Sequence, residues 1–248
     1  MTETRPRPPA ASAFDAVAAD YEASTVPYPD RAVEWMLPSN AQAALDLGAG
    51  TGQLARHLVA RGIATVAVDP SDGMRRELAK VLPGVRNLSG SAESIPLPDA
   101  SFDVVLVGHA WHCADLVTAV PEVARVLRPG GWLGLVWNVR DERVDWVRQL
   151  DRIVHRRPKH QVNSENPPVG APFAPIERLD VEWTYSYAKS DLVDLVAVRL
   201  NGMGAAAIQE RDAILAELAE LLDRHPDLSG RGSIELPYVT RCARTHKR

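Results

Sequence analysis

Residues 44–58 read "ALDLGAGTGQLARHL", with Gly48, Gly50 and Gly52 crowded into five positions between an apolar run and a helix-like pattern. Glycine loses more backbone entropy on folding than any other residue, so three together imply a sharp bend or a close approach. The preceding "AALDL" predicts a buried strand, and "TGQLARHLVARG" predicts a helix. Strand, glycine turn and helix in that order bring backbone N–H groups and a helix amino terminus to the carboxyl edge of a parallel sheet, where small molecules bind.

The alternation continues on the carboxyl side. "ATVAVD" predicts a second strand, Ser71 caps a helix running through Lys80, and "GVRNLSG", "FDVVLVGHA" and "WLGLVWN" predict three more strands. "DLVTAVPEVARVL" predicts a helix interrupted by Pro121 or beginning near it. Strands alternating with helices imply a mostly parallel sheet covered on both faces, an α/β Rossmann-like architecture. Ahead of it, "FDAVAADY" and "PDRAVEWML" predict two amino-terminal helices outside the main fold. Beyond Asn138, "DERVDWVRQLDRIV" predicts a helix, and the Pro-rich "RRPKHQVNSENPPVGAPFAP" a loop or mobile flap. "IERLDVEWTYSYA" alternates as a strand with Leu179, Val181, Trp183 and Tyr185 on one face. Helices over 191–200 and 205–224 and a last strand in "IELPYVTRCAR" complete the reading.

A chain of 248 residues, 46% hydrophobic and 24% charged, matches soluble globular proteins rather than disordered or fibrous ones. Its net charge of −4 offers no attraction to nucleic acid or anionic lipid. Cys113 and Cys242 have no zinc-finger spacing and form no disulfide framework, which predicts a reducing cytoplasm and no metal site. The Pro-rich start predicts a mobile tail over 1–11, neither signal nor anchor. No apolar run approaches the roughly 18–20 residues of a membrane span. The expectation is one domain over 12–248, monomer or homodimer, with a cofactor-binding core about 40–140 and a cap and acceptor region formed by 12–38 and 141–230.

Gln53 stands where a dinucleotide fingerprint needs its third glycine, and no Lys-hydroxyl pair follows the turn as in a triphosphate loop. Asp69 ends the second strand, where a carboxylate accepts ribose hydroxyls. Asp46, just before the glycines, adds negative charge that suits a cation and repels a pyrophosphate. The ligand so described has a ribose at one end and positive charge nearer the other.

At this point the chain resembles the class I S-adenosylmethionine-dependent methyltransferases, in the group similar to the ubiquinone and menaquinone biosynthesis enzymes and trans-aconitate methyltransferase. "LDLGAGTGQLARHL", "VAVDPSDGM", "GSAESIPLPDASFDVV" and "VLRPGGWLGLVW" look like that family's motifs in its order and spacing. The resemblance implies a seven-stranded sheet with an antiparallel last strand, cap helices at the amino end and carboxyl-terminal helices inserted before that strand. It implies S-adenosylmethionine as cofactor, S-adenosylhomocysteine as product and a small-molecule acceptor. Asp46 and Gly48 would lie beside the methionine part, Asp69 would take the ribose, the backbone around Ala92, with Ser91, would meet the adenine edge, and Met74 would flank the adenine ring; Ala49, Gly50, Gln53, Pro70 and Glu93 are further cofactor-binding candidates. Many relatives carry an acid where this chain has Ser91.

Methyl transfer from a sulfonium is a direct displacement, so holding the reactants in line is the protein's main task, and a base matters only for a protonated acceptor. In "GHAWHCAD", His112 is the candidate base, His109 would position the cofactor's carboxylate, and Trp111 would wall the pocket. Tyr21, Tyr28, Trp137, Asn138 and Arg140 are further acceptor-pocket candidates; Arg140 either grips a carboxylate or is a solvated loop charge. "NPPV" at 166–169 follows the fifth strand and lacks an aromatic end, so it reads as a loop and not as a base-stacking signature. A nicotinamide-dependent oxidoreductase and a cofactor-binding protein without turnover are the rival readings.

Overall fold

The apolar strands need cover on both faces, and they obtain it in one sheet. The computed structural model describes residues 18, 22, 25–155, 163–202 and 205–248; the expected tail, Tyr21 and most of the first expected helix lie outside them. In chain order the elements are α1 (Asp30–Met36), β1 (Ala43–Leu47), α2 (Gln53–Ala60), β2 (Ala64–Asp69), α3 (Asp72–Val81), β3 (Arg86–Ser89), β4 (Phe102–Gly108), α4 (Leu116–Val126), β5 (Leu127–Arg140), α5 (Asp145–Val154), β6 (Glu177–Ala188), α6 (Lys189–Gly202), α7 (Ala205–Arg224) and β7 (Ser233–His246). The sheet order is β3-β2-β1-β4-β5-β7-β6. The first five strands run parallel and β7 lies antiparallel between β5 and β6. Strand order therefore reverses between β1 and β4, which opens a crevice at their carboxyl ends.

Successive strand residues feed opposite faces. Leu45, Leu47, Val105, Val107, Leu133 and Leu135 pack on one face with Val123 and Val126 of α4. Ala44, Val104, Leu106 and Val136 pack on the other with α1 and with Leu54 and Leu58 of α2. A third cluster joins Trp146 and Leu150 of α5, Leu195 of α6 and Leu218 of α7 to Tyr187 and Tyr238 on β6 and β7. The predicted face of β6 holds: Leu179, Val181, Trp183 and Tyr185 turn inward while Asp180, Glu182 and Thr184 are exposed.

Three expectations change. Helix α1 does not lie outside the main fold, because Ala32, Val33 and Met36 are fully buried against the sheet. Its seat is prepared by Gly134 of β5, where a Cβ would stand 2.6 Å from Leu106 and 3.1 Å from Met36. Charge fixes its edges: Arg61 reaches Asp30 and Glu34, and the Arg244 guanidinium stands over the rings of Trp35 and Trp132 at 4.4 and 4.9 Å. Next, α4 runs through Pro121 without interruption, capped by the Asp115 carboxylate on Val117 N–H. The carbonyl that Pro121 leaves without its helical donor belongs to Val117, which is 84% exposed.

The third concerns the Pro-rich segment, which over 163–176 is a loop, as one of its two readings had it, and not a loose flap. Residues 156–162 lie outside the described residues, but 163–176 form a strap fastened along its length. The Trp111 indole donates to the Pro168 carbonyl, Arg178 to the Glu165 carbonyl, and Arg241 to Ser164, while Phe173 is buried. Met36→Ala is expected to destabilise the protein by about 2–5 kcal/mol in urea denaturation, whereas an appended helix would make the change nearly neutral.

Candidate functional site

The three glycines serve different needs. A Cβ on Gly48 would stand 2.6 Å from the Cβ of Ala110, and one on Gly52 would meet Leu78 of α3 and Leu82 just after it at 3.1 Å. Gly50, with φ +55°, faces open space, so there the bare backbone borders the crevice. The turn folds over the end of β2. Gly48 and Ala49 N–H both donate to the Val68 carbonyl, and Gly50 N–H donates to Asp69 Oδ2 at 2.8 Å. Ala49 is buried against Ala67 and Leu78.

Helix α2 starts at Gly52, which has no side chain to cap it. Asp46, from the strand before the turn, supplies the missing acceptor: its Oδ2 takes the Ala55 N–H at 2.8 Å. The carboxyl is 1% exposed, and burial, reinforced by the Asp69 charge, pushes its pKa up to about 7 against the pull of the Ala55 bond. The positive end of α2 is thus already matched by the protein's own acid, which leaves a poor seat for a pyrophosphate.

Asp69, 7% exposed, accepts Gly50 N–H on one oxygen and Ser71 N–H on the other. Ser71 caps α3 by accepting Met74 N–H at 3.2 Å, and Met74 is buried in the first turn. Pro70 stays exposed between them. Asp69 pairs with Ser89 in the parallel register of β2 and β3, so the chain leaving β3 turns at the same edge. That turn is closed by reciprocal backbone bonds between Ser91 and Ser94, with Ala92 and Glu93 between them, and the Glu93 carboxylate accepts Asp115 N–H at 2.8 Å.

Across the switch point, His109 follows β4 with φ +54°, rare for a residue bearing a Cβ. Its Nε2 accepts Asn138 N–H at 2.9 Å, so the neutral ring carries its proton on Nδ1, and its ring stacks on Tyr28 with centroids 6.2 Å apart. Trp111 lies inward of the crevice edge. It is 2% exposed, sunk in the core by its apolar area and bonded to Pro168. His112, one residue on, is exposed, and partial desolvation lowers its pKa below the ordinary histidine value. The neutral form, able to accept a proton, is thereby favoured near pH 7.

The β5 candidates are turned largely inward. Trp137 is buried in the α4-side core, and its indole N–H has no hydrogen-bond partner among the described residues. Asn138 is occupied at both ends: its amide donates to the carbonyls of Val26 and Pro27, and its oxygen accepts the Thr240 hydroxyl, which in turn accepts the Trp183 indole. Arg140 is neither a solvated loop charge nor an open carboxylate clamp. Its side chain, 8% exposed, pairs with Asp151 of α5 at 3.6 Å. Thr240 and Asp151 stand about a hundred and about ten residues from their partners in an order that only folding brings together, and no motif marked them. Thr51, inside the turn, is a further residue that motif reading passed over: its hydroxyl is buried without a partner among the described residues. Gln53 begins α2 and reaches Glu22 at 3.5 Å. Among the described residues no group of three or more His, Cys, Asp or Glu is arranged to hold a metal, and no helix is long and apolar enough to cross a membrane.

Residues 45–135 match the family model described as a methyltransferase domain. Over 231 residues the chain is 46% identical to an uncharacterized methyltransferase of Mycobacterium tuberculosis, covering 93% of this chain and 94% of the relative. The chain belongs to the methyltransferase family. The methyltransferase fold is shared with a proposed type II methyltransferase of Anaeromyxobacter dehalogenans, at TM-score 0.66 and 24% identity over 90% of this chain and 97% of the other. It is shared as well with the [4+2]-cyclase SpnF, at TM-score 0.55 and 16% identity over 94% and 93%.

The buried acid of this methyltransferase has a pH signature. Because the folded pKa of Asp46 lies above its unfolded value of 3.8, the native state holds a proton that the unfolded chain releases. Its contribution is complete below pH 4 and is lost as pH rises toward 7. Asp46→Asn keeps an oxygen for Ala55 N–H and is expected to remove up to about 1.4 kcal/mol per pH unit of that fall. Urea denaturation of both proteins between pH 4 and 8 measures it; parallel curves would contradict the assignment.

Proposed function

We propose that this chain transfers the methyl group of S-adenosylmethionine to a small-molecule acceptor by in-line displacement, releasing S-adenosylhomocysteine. The observation that carries the cofactor reading is the acid pair around the glycine turn. Asp46 blocks the helix end that a pyrophosphate would need, Asp69 stands at the β2 edge suited to a ribose diol, and Gly50 leaves the space between them open. The residues present fit a nucleoside carrying a cation. When bound, that cofactor supplies a methyl group on a sulfonium that is already a good leaving group.

The chain's own residues would then bind and orient. Asp69 is assigned to the ribose, the backbone of 48–50 to the methionine side, and the turn at Ser91, Ala92 and Glu93, with Met74, to the adenine side. The exposed edge carrying His109, His112 and the buried ring of Tyr28 is assigned to the acceptor, at oxygen, carbon or nitrogen. His112 is assigned as the group that takes a proton from an acceptor that needs one. We further assign one domain to residues 12–248, acting in the cytoplasm as a monomer or homodimer.

A second reading, cofactor binding without methyl transfer, is favoured by the fold shared with a cyclase, since a fold does not fix a reaction. Transfer of labelled methyl to a panel of small metabolites tests the first reading; tight S-adenosylhomocysteine binding with no transfer across the panel would favour the second. Micromolar binding of a nicotinamide dinucleotide in place of S-adenosylhomocysteine would overturn both.

Asp69→Ala is expected to weaken S-adenosylhomocysteine binding by roughly 1.5–3 kcal/mol in calorimetry. It also strips the acceptor from Gly50 and Ser71 N–H, so the urea midpoint is expected to fall as well. For His112→Ala, a loss of about a hundredfold or more in kcat supports base catalysis, and near-normal turnover leaves His112 with a shaping role only.

A further inference from the structure

The turn that follows β3 is held in place by a helix from the other side of the switch point. Arg125, in the last turn of α4, sends its guanidinium back along residues 95–99. It donates to the carbonyls of Ile95 and Leu97, both at 2.9 Å, and to Asp99 at 2.6 Å. Glu122, one turn earlier, grips Arg125 through both oxygens at 2.8 Å and accepts Ile95 N–H, also at 2.8 Å. The Arg125 guanidinium holds the Glu122 carboxyl below the usual carboxylate range, so the pair stays ionised through neutral pH. Ile95 and Leu97 are buried beneath it, and at Gly90 a Cβ would strike Pro96 at 2.6 Å, so this stretch lies tight against the sheet. Glu93 fastens the near end of the same stretch to Asp115, the cap of α4. The helix and its cap thus fix the loop at Glu93 and along residues 95–99, and the turn at Ser91 and Ala92, closed by the Ser91–Ser94 bonds, lies just before these anchors on the chain leaving Ser89, the partner of Asp69 in the sheet.

We propose that the Glu122–Arg125 pair is a positioning device for the nucleoside end of the cofactor, setting the height of the turn after β3 against Asp69. This rests on the cofactor reading above. Neither residue needs to touch the ligand. The reach depends on a planar fork that serves two carbonyls and two carboxylates at once, which an ammonium cannot reproduce.

Calorimetry on the full chain with S-adenosylhomocysteine and with adenosine, paired with amide hydrogen exchange, tests it. Arg125→Lys is expected to weaken both ligands by the same factor, about fivefold to tenfold, because the loss falls on the part they share. Exchange over residues 91–99 is expected to rise while strands β1 and β4 stay protected. Glu122→Gln keeps one oxygen for Ile95 N–H and turns an amide N–H toward the Arg125 guanidinium, so it is expected to weaken both ligands together by a smaller factor, about twofold to fivefold. Unchanged affinity for both ligands in Arg125→Lys, or weakening of S-adenosylhomocysteine without adenosine, would overturn the proposal, as would a lowered urea midpoint with affinity intact, the mark of a merely structural pair. If the unsubstituted protein binds neither ligand, the cofactor reading fails and takes this inference with it.

Discussion

One buried carboxyl organises the edge on which everything else is built. The glycine turn needs a bare N-cap at Gly52 to pass α3, and a bare N-cap leaves the first N–H groups of α2 without a side-chain acceptor. Asp46 reaches forward across the turn to Ala55 and supplies one. Burying an acid is costly, and the cost appears as a pKa pushed up to about 7. What the protein gains is a strand, a turn and a helix tied into one unit whose exposed backbone is Gly50.

From that unit the architecture spreads by mutual capping. Asp69 takes Gly50 and Ser71, Ser71 takes Met74, and the register of β2 with β3 carries the next turn to the same edge. Glu93 then joins that turn to the cap of α4. Each link is a backbone N–H finding an acceptor at a helix or strand end, the requirement that burial places on every such group. The far side of the switch point is organised by other means. Asn138 ties the segment around Val26 to β5 and β7, Arg140 is neutralised by Asp151, and Trp111 pins the strap at Pro168. Apart from the Arg140–Asp151 pair, these contacts join parts of the chain far apart in sequence.

The parallel sheet, the Ser71 cap, the edge position of Asp69 and the alternating face of β6 were legible because each rests on local chemistry: an apolar run, a hydroxyl before a helix, a period of two. The fate of α1 was not. An amphipathic helix before a fold reads the same whether it lies on the sheet or beside it, and the cavity opened by Gly134 is what seats it. The inward placement of Trp111 and Arg140 was hidden for a related reason. An aromatic ring or a cation beyond a strand end can face a crevice or turn from it, and the choice depends on Pro168 and Asp151, partners that no spacing reveals.

By itself the sequence determined the strand-turn-helix unit, the acid pair that suits a cationic nucleoside and the family likeness, since these arise between neighbours along the chain or within one supersecondary unit. Only the tertiary structure decided which side chains remain available at the crevice. Availability is a matter of burial and of hydrogen bonds already made, and both are set when α4, α5, β7 and the strap close around the sheet.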